Sequence, residues 1–367
     1  MRKLRIGVAG LGRAFQVMAP AFRDPRVELA GGTDPRRPSF EGKGFDSVEA
    51  LCRSDIDVLY IATPHQFHAE HACLAARHGK HVLVEKPMAL SLDECRRMID
   101  AAREARVQLL VGHSHSFDLP VLRTRELIRT GAFGRLRMIT AVNFTDFLYR
   151  PRRPEELDTS RGGGAVFNQA AHQVDVARIL SSANVVSVKA QTGSWDPDRA
   201  TEGAYAAQLS FDDGAFASLV YSGYGHFDSD ELMGWIGEMG SRKDPTHYGH
   251  ARRTLDDSKR HVPRPLAPQT HHQHFGFMIA TCERADLRPL PKGVMIYGDT
   301  EKRLEPLPAP KLPRTEVIDE LYDAIVNEKK PLHDGEWGMA TLEVCLAILE
   351  SGRTGKEVLL REQAKSA

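Results

Sequence analysis

Near the start of the chain, residues 7–12 read GVAGLG and close a short apolar run that predicts a β-strand over Arg5–Ala9. Glycines in such a loop let the backbone turn sharply and bring its N–H groups close to a pyrophosphate at the start of a helix. The candidate cofactor contacts here are Gly7, Gly10, Leu11, Gly12 and Arg13. The dinucleotide-binding pattern G-x-G-x-x-G has a third glycine, but the corresponding residue here, at position 15, is phenylalanine. A glycine turn that merely packs tightly therefore remains the alternative.

Apolar runs continue to alternate with helical stretches up to about residue 112. The further predicted strands are Val27–Thr33, Val58–Ala62, His81–Glu85 and Gln108–Gly112. Ser91 and Glu94 form a capping-box pattern, which predicts a helix over Ser91–Ala105. This alternation is typical of βαβ units, so we expect an α/β fold that opens with a Rossmann-type, doubly wound parallel sheet.

The character of the chain changes after Pro120. A basic helix is predicted over Val121–Arg129, a strand over Arg137–Phe144 and a hairpin within residues 203–224. We therefore predict a Rossmann domain over residues 1–120 and an α+β domain with antiparallel strands over residues 121–367. Two amphipathic helices, Thr315–Lys329 and Trp337–Ser351, end the fold and could pack back on the first domain.

The amino-acid composition of the chain argues against several classes of protein. The 367 residues hold 49 Lys plus Arg and 49 Asp plus Glu, so no net charge draws the molecule to nucleic acid or to an anionic membrane. The apolar runs are far shorter than the roughly 20 residues of a membrane span. The first strand follows the N-terminus directly and leaves no room for a signal peptide, so we expect a cytoplasmic location. Five scattered cysteines without a CxxC pair predict neither disulfides nor a metal site.

The second predicted strand ends at Asp34, 24 residues after Gly10. An acidic residue at about this spacing hydrogen-bonds the adenosine ribose hydroxyls in Rossmann proteins and repels a 2′-phosphate. This favours NAD over NADP. Arg36 and Arg37 follow at once and could instead hold the phosphate of NADP, and Asp34-Pro35 could simply start a turn.

One loop follows the predicted strand Val58–Ala62, and a second loop follows the predicted strand His81–Glu85. Both lie at carboxyl ends of strands, where ligands bind in open α/β sheets. Lys86 lies in the second loop between a strand and Pro87, and its ammonium could orient a substrate hydroxyl and exchange a proton. A solvated surface lysine is the alternative. The cofactor contacts expected from these loops are Thr63, Pro64, His65, His68 and Glu85.

Together, several motifs make the chain resemble the glucose-fructose oxidoreductase, inositol dehydrogenase and MocA family. They are the glycine loop, Ala62-Thr63-Pro64 with His68, Glu85-Lys86-Pro87, and glycines 162–164 leading to His172 and Asp175. The resemblance implies a small-molecule substrate that Lys86 binds and polarises, with His172 as proton donor or acceptor. It also implies NAD(H) or NADP(H) as cofactor and a large, open C-terminal sheet that joins subunits into a homodimer or homotetramer.

The chain departs from the family pattern at Asn168, where many members carry an aspartate. Asparagine cannot exchange a proton and can only hydrogen-bond a hydroxyl. Proton transfer then falls to His172 and Lys86, with Asn168 as a substrate contact beside them. We expect Asp175 to fix the helix rather than to react.

Further similarity points to a branch of the family. Residues 147–158, 168–169 and 282–288 resemble phthalate 4,5-cis-dihydrodiol dehydrogenases, which oxidise the cis-diol of a dihydrobenzene dicarboxylate with NAD. Guanidinium groups grip carboxylates in pairs of hydrogen bonds, so arginines before the catalytic segment suit such a substrate. The candidates are Arg150, Arg152, Arg153 and Arg161. Pairing with Glu155 and Glu156 is the alternative.

The motifs are also compatible with other functions. A related sugar or inositol dehydrogenase, a redox-neutral lyase or hydrolase that uses NAD transiently, and a non-catalytic NAD(P)-binding sensor all fit the motifs. Residues 242–273 are predicted to form a long loop, and within residues 247–274 histidines recur at 247, 250, 261, 271, 272 and 274. Their spacing matches no recognised metal motif, so solvated or substrate-contacting histidines are preferred to a metal site.

Overall fold

A computed structural model describes residues 2–36, 40–247, 249–256, 258–259, 266–310 and 312–363. The chain divides into two compact units. The first comprises Met1–Ser114 and Leu312–Leu342, and the second comprises His115–Lys311 and Glu343–Ala367. Residues 312–342 thus group with the N-terminal part of the chain, whereas the predicted second domain included them. The domain limits at residues 120 and 121 stay a prediction.

The first unit is built on a six-stranded sheet in the order β3-β2-β1-β4-β5-β6, and every pairing in it is parallel. Its strands are β1 (Leu4–Ala9), β2 (Val27–Thr33), β3 (Lys43–Gly44), β4 (Val58–Ile61), β5 (His81–Val84) and β6 (Leu109–Val111). Its first helices are α1 (Arg13–Met18), α2 (Val48–Cys52), α3 (His68–Arg77) and α4 (Leu92–Ala105). This arrangement confirms the predicted doubly wound Rossmann sheet.

Burial explains why these segments are strands. All four residues of β4 are buried, as in a parallel sheet covered on both faces. The capping expectation for α4 also holds in part, because the Ser91 hydroxyl accepts the Glu94 N–H at 3.2 Å. The Glu94 carboxylate reaches back to the N–H of Leu90, one residue before the cap. Both bonds satisfy backbone donors near the helix start.

The second unit holds a nine-stranded sheet in the order β14-β13-β12-β11-β7-β10-β9-β8-β15. Its pairings are antiparallel except for β10 with β7, which confirms the mainly antiparallel sheet. The strands are β7 (Leu136–Phe144), β8 (Val185–Gly193), β9 (Ala204–Phe211), β10 (Phe216–Ser222), β11 (Phe277–Cys282), β12 (Ala285–Leu290), β13 (Gly293–Gly298), β14 (Lys302–Pro306) and β15 (Val358–Leu359).

The predicted hairpin joins β9 to β10. Ser210 pairs with Phe216, and the turn between the strands includes Gly214 at φ +86°, a left-handed conformation that suits glycine. Helices α5 (Leu119–Arg129), α6 (Ala171–Ser181) and α7 (His250–Arg253) complete this part of the fold. Helix α5 matches the predicted basic helix to within two residues at its start.

Two C-terminal helices, α8 (Thr315–Val326) and α9 (Gly335–Thr354), agree with the two predicted at the end of the chain. The beginning of α9 packs on β6 of the first unit, because a Cβ at Gly338 would lie 2.6 Å from Val111 Cγ2. The N–H of Val111 also donates to the carbonyl of His333 at 2.8 Å. These contacts account for the grouping of residues 312–342 with the Rossmann sheet. Within the described ranges, no helix is both long and apolar enough to span a membrane.

Candidate active site

The glycine loop has the geometry that a dinucleotide requires. Gly10 adopts φ +93°, and a Cβ there would lie 2.5 Å from the Ala62 carbonyl oxygen, so only glycine fits. Gly12 precedes α1, and a Cβ there would meet only the Arg36 guanidinium, at 3.5 Å. Gly7 differs from the prediction. It lies within β1, with Ile56 Cδ1 2.7 Å from where a Cβ would be, so close packing explains this glycine better than a cofactor contact.

Asp34 directly follows β2 beside this loop and is buried. Its carboxylate accepts the Leu11 N–H at 2.9 Å, the Arg36 N–H at 2.9 Å, and the Arg36 side chain at 3.0 and 2.8 Å. Burial opposes ionisation, but the hydrogen bonds from Arg36 and Leu11 outweigh it and hold the pKa of Asp34 below its ordinary value. Asp34 is therefore a carboxylate at neutral pH. Arg13 is exposed at the start of α1, and Arg37 lies outside the described residues.

His68 connects the two loops that follow β4 and β5. Its Nε2 lies 2.9 Å from the Thr63 carbonyl oxygen and its Nδ1 lies 3.0 Å from that of Pro87. The side chain is completely buried, and burial lowers its pKa. Its complete burial between these carbonyls favours a role in positioning the loop that carries Lys86 over the predicted cofactor contact. Pro64 and His65 lie at the loop surface, half-buried.

Glu85 also differs from its predicted role. Its carboxylate is buried and accepts the Tyr60 hydroxyl at 2.6 Å. Burial raises the pKa of Glu85, while the charges of Arg314 and Lys86 oppose that rise. Because the side chain points into the protein, Glu85 supports the loop from within rather than contacting a cofactor. The next residue, Lys86, is half-buried at the carboxyl end of β5.

In the second unit, glycines 162–164 lead the chain over a buried carboxylate. Gly164 adopts φ +81°, and a Cβ at this position would collide with the carboxylate of Glu202. Glu202 accepts the Val166 N–H at 2.9 Å and the Thr159 hydroxyl. Glycine at position 164 is therefore required so that Glu202 can hold the first turn of the following helical segment.

That segment is a π-helical turn, Val166–Ala170, which continues directly into α6. π-turns inside helices occur frequently at functional sites. Asn168 lies on the turn, half-buried, and its amide nitrogen donates to the Gly164 carbonyl at 2.8 Å. This contact fixes the amide group and directs the other end of the side chain, the oxygen, as a hydrogen-bond acceptor.

His172 follows one turn later on α6, and its side chain is buried. Its ring lies edge-on to His115, with centroids 4.8 Å apart and planes at 70°. Phe275 covers the same ring at 4.9 Å. Asp175, next on the helix, accepts the Ser116 hydroxyl at 2.5 Å, which supports its predicted structural role.

The neighbourhood of His172 contains an ionised cluster that the sequence analysis missed. His115 Nδ1 lies 2.6 Å from a carboxylate oxygen of Asp118, and Nε2 lies 3.6 Å from one of Glu238. Burial opposes the charge on His115, but the two carboxylates outweigh burial and raise its pKa to about 9. For Glu238, burial is likewise outweighed by His115 and by the charge of Arg150, and its pKa falls to about 2. His115 and Asp118 are three residues apart, but Glu238 is far along the chain.

The four predicted substrate arginines differ in their contacts. Arg152 stacks on Phe147, 3.8 Å from the ring centroid, and donates to the Phe147 carbonyl. Arg153 pairs with Glu155 and Glu156 at 3.3 and 3.2 Å, the alternative that the sequence allowed. These contacts give both arginines structural roles instead of the predicted substrate roles.

Arg150 and Arg161 have fewer structural ties. Arg161 is exposed beside the glycine triplet. Arg150 donates through Nε to Asp146 at 2.7 Å, and its charge acts on Glu238 and Tyr221. Arg150 is thus electrostatically linked to Glu238, the carboxylate that faces His115 in the group around His172.

In the histidine-rich segment, His247 and His250 are exposed, whereas His272 and His274 have structural contacts. His272 Nε2 donates to the Pro308 carbonyl at 2.7 Å. His274 Nδ1 accepts the Gly276 N–H at 3.0 Å, so its Nε2 carries the proton and donates to Ile236. Both side chains are buried, not solvated, and His261 lies outside the described residues. Among the residues that the structure describes, no three His, Cys, Asp or Glu side chains are arranged so that they could hold a metal ion.

Comparison with known proteins places this geometry in a family. A family model described as "Oxidoreductase family, NAD-binding Rossmann fold" matches residues 4–113, and the C-terminal domain model of the same family matches residues 121–241. The chain is 46% identical to 1-carboxy-3-chloro-3,4-dihydroxycyclohexa-1,5-diene dehydrogenase of Comamonas testosteroni, over 95% of each sequence.

A levoglucosan dehydrogenase of Pseudarthrobacter phenanthrenivorans is 31% identical over 57% of this chain and 59% of its own length. A crystal structure from Bordetella bronchiseptica is 44% identical, with a TM-score of 0.92 over 98% of this chain and 100% of that chain. The glycine loop, Asp34 and the Rossmann sheet suit the NAD cofactor that the family description names. The chain therefore belongs to the GFO/IDH/MocA family and is an NAD-dependent dehydrogenase.

Proposed function

We propose that this dehydrogenase oxidises one secondary alcohol of a cyclic cis-diol that bears a carboxylate on its ring. The observation that carries the proposal is the 46% identity, over 95% of both sequences, to an enzyme whose name describes a carboxylated dihydroxycyclohexadiene. The product of such an oxidation is a hydroxyketone, and its aromatic tautomer is a catechol.

The cofactor side of this proposal uses the first unit. Gly10 and Gly12 leave room for the pyrophosphate, and Asp34 accepts the ribose hydroxyls. In the structure, the Arg36 side chain donates two of the four hydrogen bonds that the Asp34 carboxylate accepts. The Arg36 side chain is 54% exposed. Arg36 swings outward when NAD binds and gives up these two hydrogen bonds. The bound nicotinamide then supplies the hydride acceptor.

The proton chemistry uses the side chains of Lys86 and His172. The Lys86 ammonium hydrogen-bonds the reacting hydroxyl and stabilises the negative charge that develops on its oxygen. An imidazole nitrogen of His172 takes the hydroxyl proton as the C–H bond loses its hydride, so the two electrons leave with the hydrogen and the C=O bond forms. The Asn168 amide oxygen accepts the second hydroxyl of the diol.

We assign the substrate carboxylate to Arg150. Arg152 and Arg153 are committed to Phe147, Glu155 and Glu156, whereas Arg150 lies among groups that are linked to His172. A ring that places its hydroxyl at His172 can therefore extend its carboxylate toward Arg150. The guanidinium gives up part of its contact with Asp146 in exchange for the substrate.

We further propose that two or four copies associate through the open face of the nine-stranded sheet, in the cytoplasm. Apolar side chains of that face are exposed at the ends of β8 and β10, namely Val186 at 40% and Phe216 at 45%. All five cysteines are free thiols, as suits a reducing compartment. Sedimentation of the purified protein with Phe216→Asp as a disrupting variant tests the interface.

A substrate panel tests the reaction. The purified protein is mixed with NAD and, in turn, a carboxylated cis-dihydrodiol, the same diol without the carboxylate, an inositol and levoglucosan. We expect NADH absorbance to rise fastest with the carboxylated diol. Faster turnover of the inositol or levoglucosan would replace the proposal with a sugar-type dehydrogenase, and substrate loss without NADH would indicate a redox-neutral reaction.

The same panel tests Arg150. Because hydrogen bonds to charged groups contribute about 1.5–3 kcal/mol, Arg150→Met should raise KM roughly 10- to 100-fold for the carboxylated diol. The KM for the diol without the carboxylate should stay nearly constant. Arg153→Met is the matched control, and it should leave both constants unchanged. An equal loss on both diols in Arg150→Met would contradict the assignment.

A further inference from the structure

His115 is a buried histidine that the reaction described above does not use. Its side chain is 3% exposed, and each of its ring nitrogens faces a carboxylate, Asp118 at 2.6 Å and Glu238 at 3.6 Å. A neutral imidazole has one N–H and one lone pair, and the lone pair would be repelled by the second carboxylate. The geometry therefore favours an imidazolium.

This charged ring is in direct contact with the proposed base. The centroids of His115 and His172 are 4.8 Å apart, and Phe275 packs on both rings at 5.0 and 4.9 Å. Because Phe275 and His115 cover two sides of His172, the ring of His172 has little freedom to turn. A fixed cation this near also disfavours a second positive charge on His172.

We propose that His115 is a positioning residue for His172: a ring kept charged by two carboxylates that fixes the orientation of His172 and keeps it neutral, ready to accept a proton. The inference rests on the proposed function, because it gives His172 the part of the base. It adds a residue to which no motif points.

The segment that carries His115 is built for this position. His115–Phe117 forms a short 3-10 turn, and Asp118 is the N-terminal cap residue of α5. Ser116 donates its hydroxyl to Asp175, one turn beyond His172 on α6. The segment is thus bound to the same helix at two successive turns, which fixes the distance between the two histidines.

Other charged or titratable groups also surround α6, and their fields add to that of His115. They are Asp175 and Arg178 on α6 itself, Arg125 on α5, Tyr205 on β9, Tyr221 on β10, and the Asp118, Glu238 and Arg150 groups around His115. These side chains stay in place when only His115 is replaced, but the pKa of Glu238 rises because His115 no longer lowers it. A comparison of the wild type with His115→Gln therefore measures the loss of the cation together with this response of Glu238.

The test follows the histidine ring nitrogens by NMR in the substrate-free protein, with ¹⁵N-labelled histidine. We expect one histidine to keep its imidazolium signature at pH 8 and to titrate near the pKa of about 9 given by its two carboxylates. That signal should vanish in His115→Gln and titrate at lower pH in Asp118→Asn. The absence of any charged histidine at pH 8 would overturn the proposal.

The second readout is the titration of His172, whose signal is assigned by its loss in His172→Gln. Removing the cation should raise the pKa of His172 in His115→Gln, because a nearby positive charge disfavours a second one. Phe275→Leu, which loosens the packing without a change of charge, should leave that pKa in place. An unmoved or lowered pKa in His115→Gln would refute the electrostatic role. Since neither readout needs a substrate, these results stand apart from any failure of the proposed reaction.

Discussion

The proposed proton-handling groups lie on two segments that are positioned by different physical means. The lysine segment is the loop after β5 that carries Lys86, and the histidine segment is the start of α6 that carries His172. Around Lys86, a completely buried His68 lies between the backbone carbonyls of Thr63 and Pro87. Burial lowers its pKa, so a neutral ring that donates to one of the two carbonyls joins the loops. Around His172, the supporting groups are ionised and come from separate parts of the chain. The lysine segment should therefore respond little to pH, whereas the histidine segment should depend on it.

This difference also explains which features can be read from sequence. Where the backbone conformation positions a group, the residues that produce this conformation are neighbours in the sequence and form a recognisable motif. The glycine loop and Glu85-Lys86-Pro87 are examples. Supports made of side-chain charge join residues as distant as His115 and Glu238, and such pairs leave no pattern in a single sequence.

The largest expected effect comes from removing either reacting group. Lys86→Ala and His172→Ala should each lower kcat/KM by about 10²- to 10⁴-fold, the range for loss of a general acid or base. The control Lys329→Ala removes an exposed lysine that pairs with Asp323 and should retain full activity. Steady-state kinetics on the best diol provide the measurement. Near-normal turnover in either alanine variant would remove that residue from the mechanism.

A second prediction concerns pH and stability, and it addresses the histidine segment. The pKa of His115 is raised from 6.5 to about 9, so its contribution to stability is complete below pH 6.5 and is lost as the pH rises through 9. With 1.36 kcal/mol per pKa unit, the loss is on the order of 3 kcal/mol. Urea unfolding at pH 7 and pH 10 measures it.

The His115→Gln variant lacks the contribution of the charged histidine to stability. Its free energy of unfolding should therefore fall less between pH 7 and pH 10 than that of the wild type. Equal losses in the wild type and the variant would show that His115 does not titrate in this range. The comparison also sharpens the contrast with the lysine segment, because His68 carries no such raised pKa.

The smallest of the three effects belongs to the lysine segment. His68→Leu removes the side chain that spans two buried carbonyls, and it should cost about 1–3 kcal/mol of unfolding free energy at any pH between 7 and 10. It should also lower kcat more than it raises KM for NAD, because the loop of Lys86 loses its support. His71→Leu is the matched control, since His71 hydrogen-bonds the Thr63 hydroxyl at 3.2 Å and stacks on Phe67 but does not lie between two backbone carbonyls. A pH-dependent cost in His68→Leu would argue against an uncharged support.

Much of the fold follows from the sequence for physical reasons that particular elements make plain. The buried run of β4 and the capping pair Ser91 and Glu94 are local signals, and both produced the predicted elements. The hairpin around Gly214 is local as well. The grouping of residues 312–342 with the Rossmann sheet depends on contacts such as that of Gly338 with Val111, which only the folded chain brings together.

The candidate site divides in the same way. Gly10, Asp34, Lys86, Asn168 and His172 are found through motifs, and the structure gives each of them surroundings that suit the proposed role. Motifs alone misjudged His68 and Glu85, because a motif shows that a residue recurs near a site but not whether its side chain points into the protein. They also overstated Arg152 and Arg153, whose pairing with nearby groups is decided by rotamers rather than by spacing.

The central claim is that Lys86 and His172 act on the same hydroxyl. A crystal structure of the protein with NAD and a slowly reacting carboxylated diol tests it most directly. We predict that the Lys86 ammonium and one ring nitrogen of His172 both lie within about 3 Å of a single hydroxyl oxygen, which is hydrogen-bond distance. A bound diol whose reacting hydroxyl contacts neither group, or only one of them, would contradict the account.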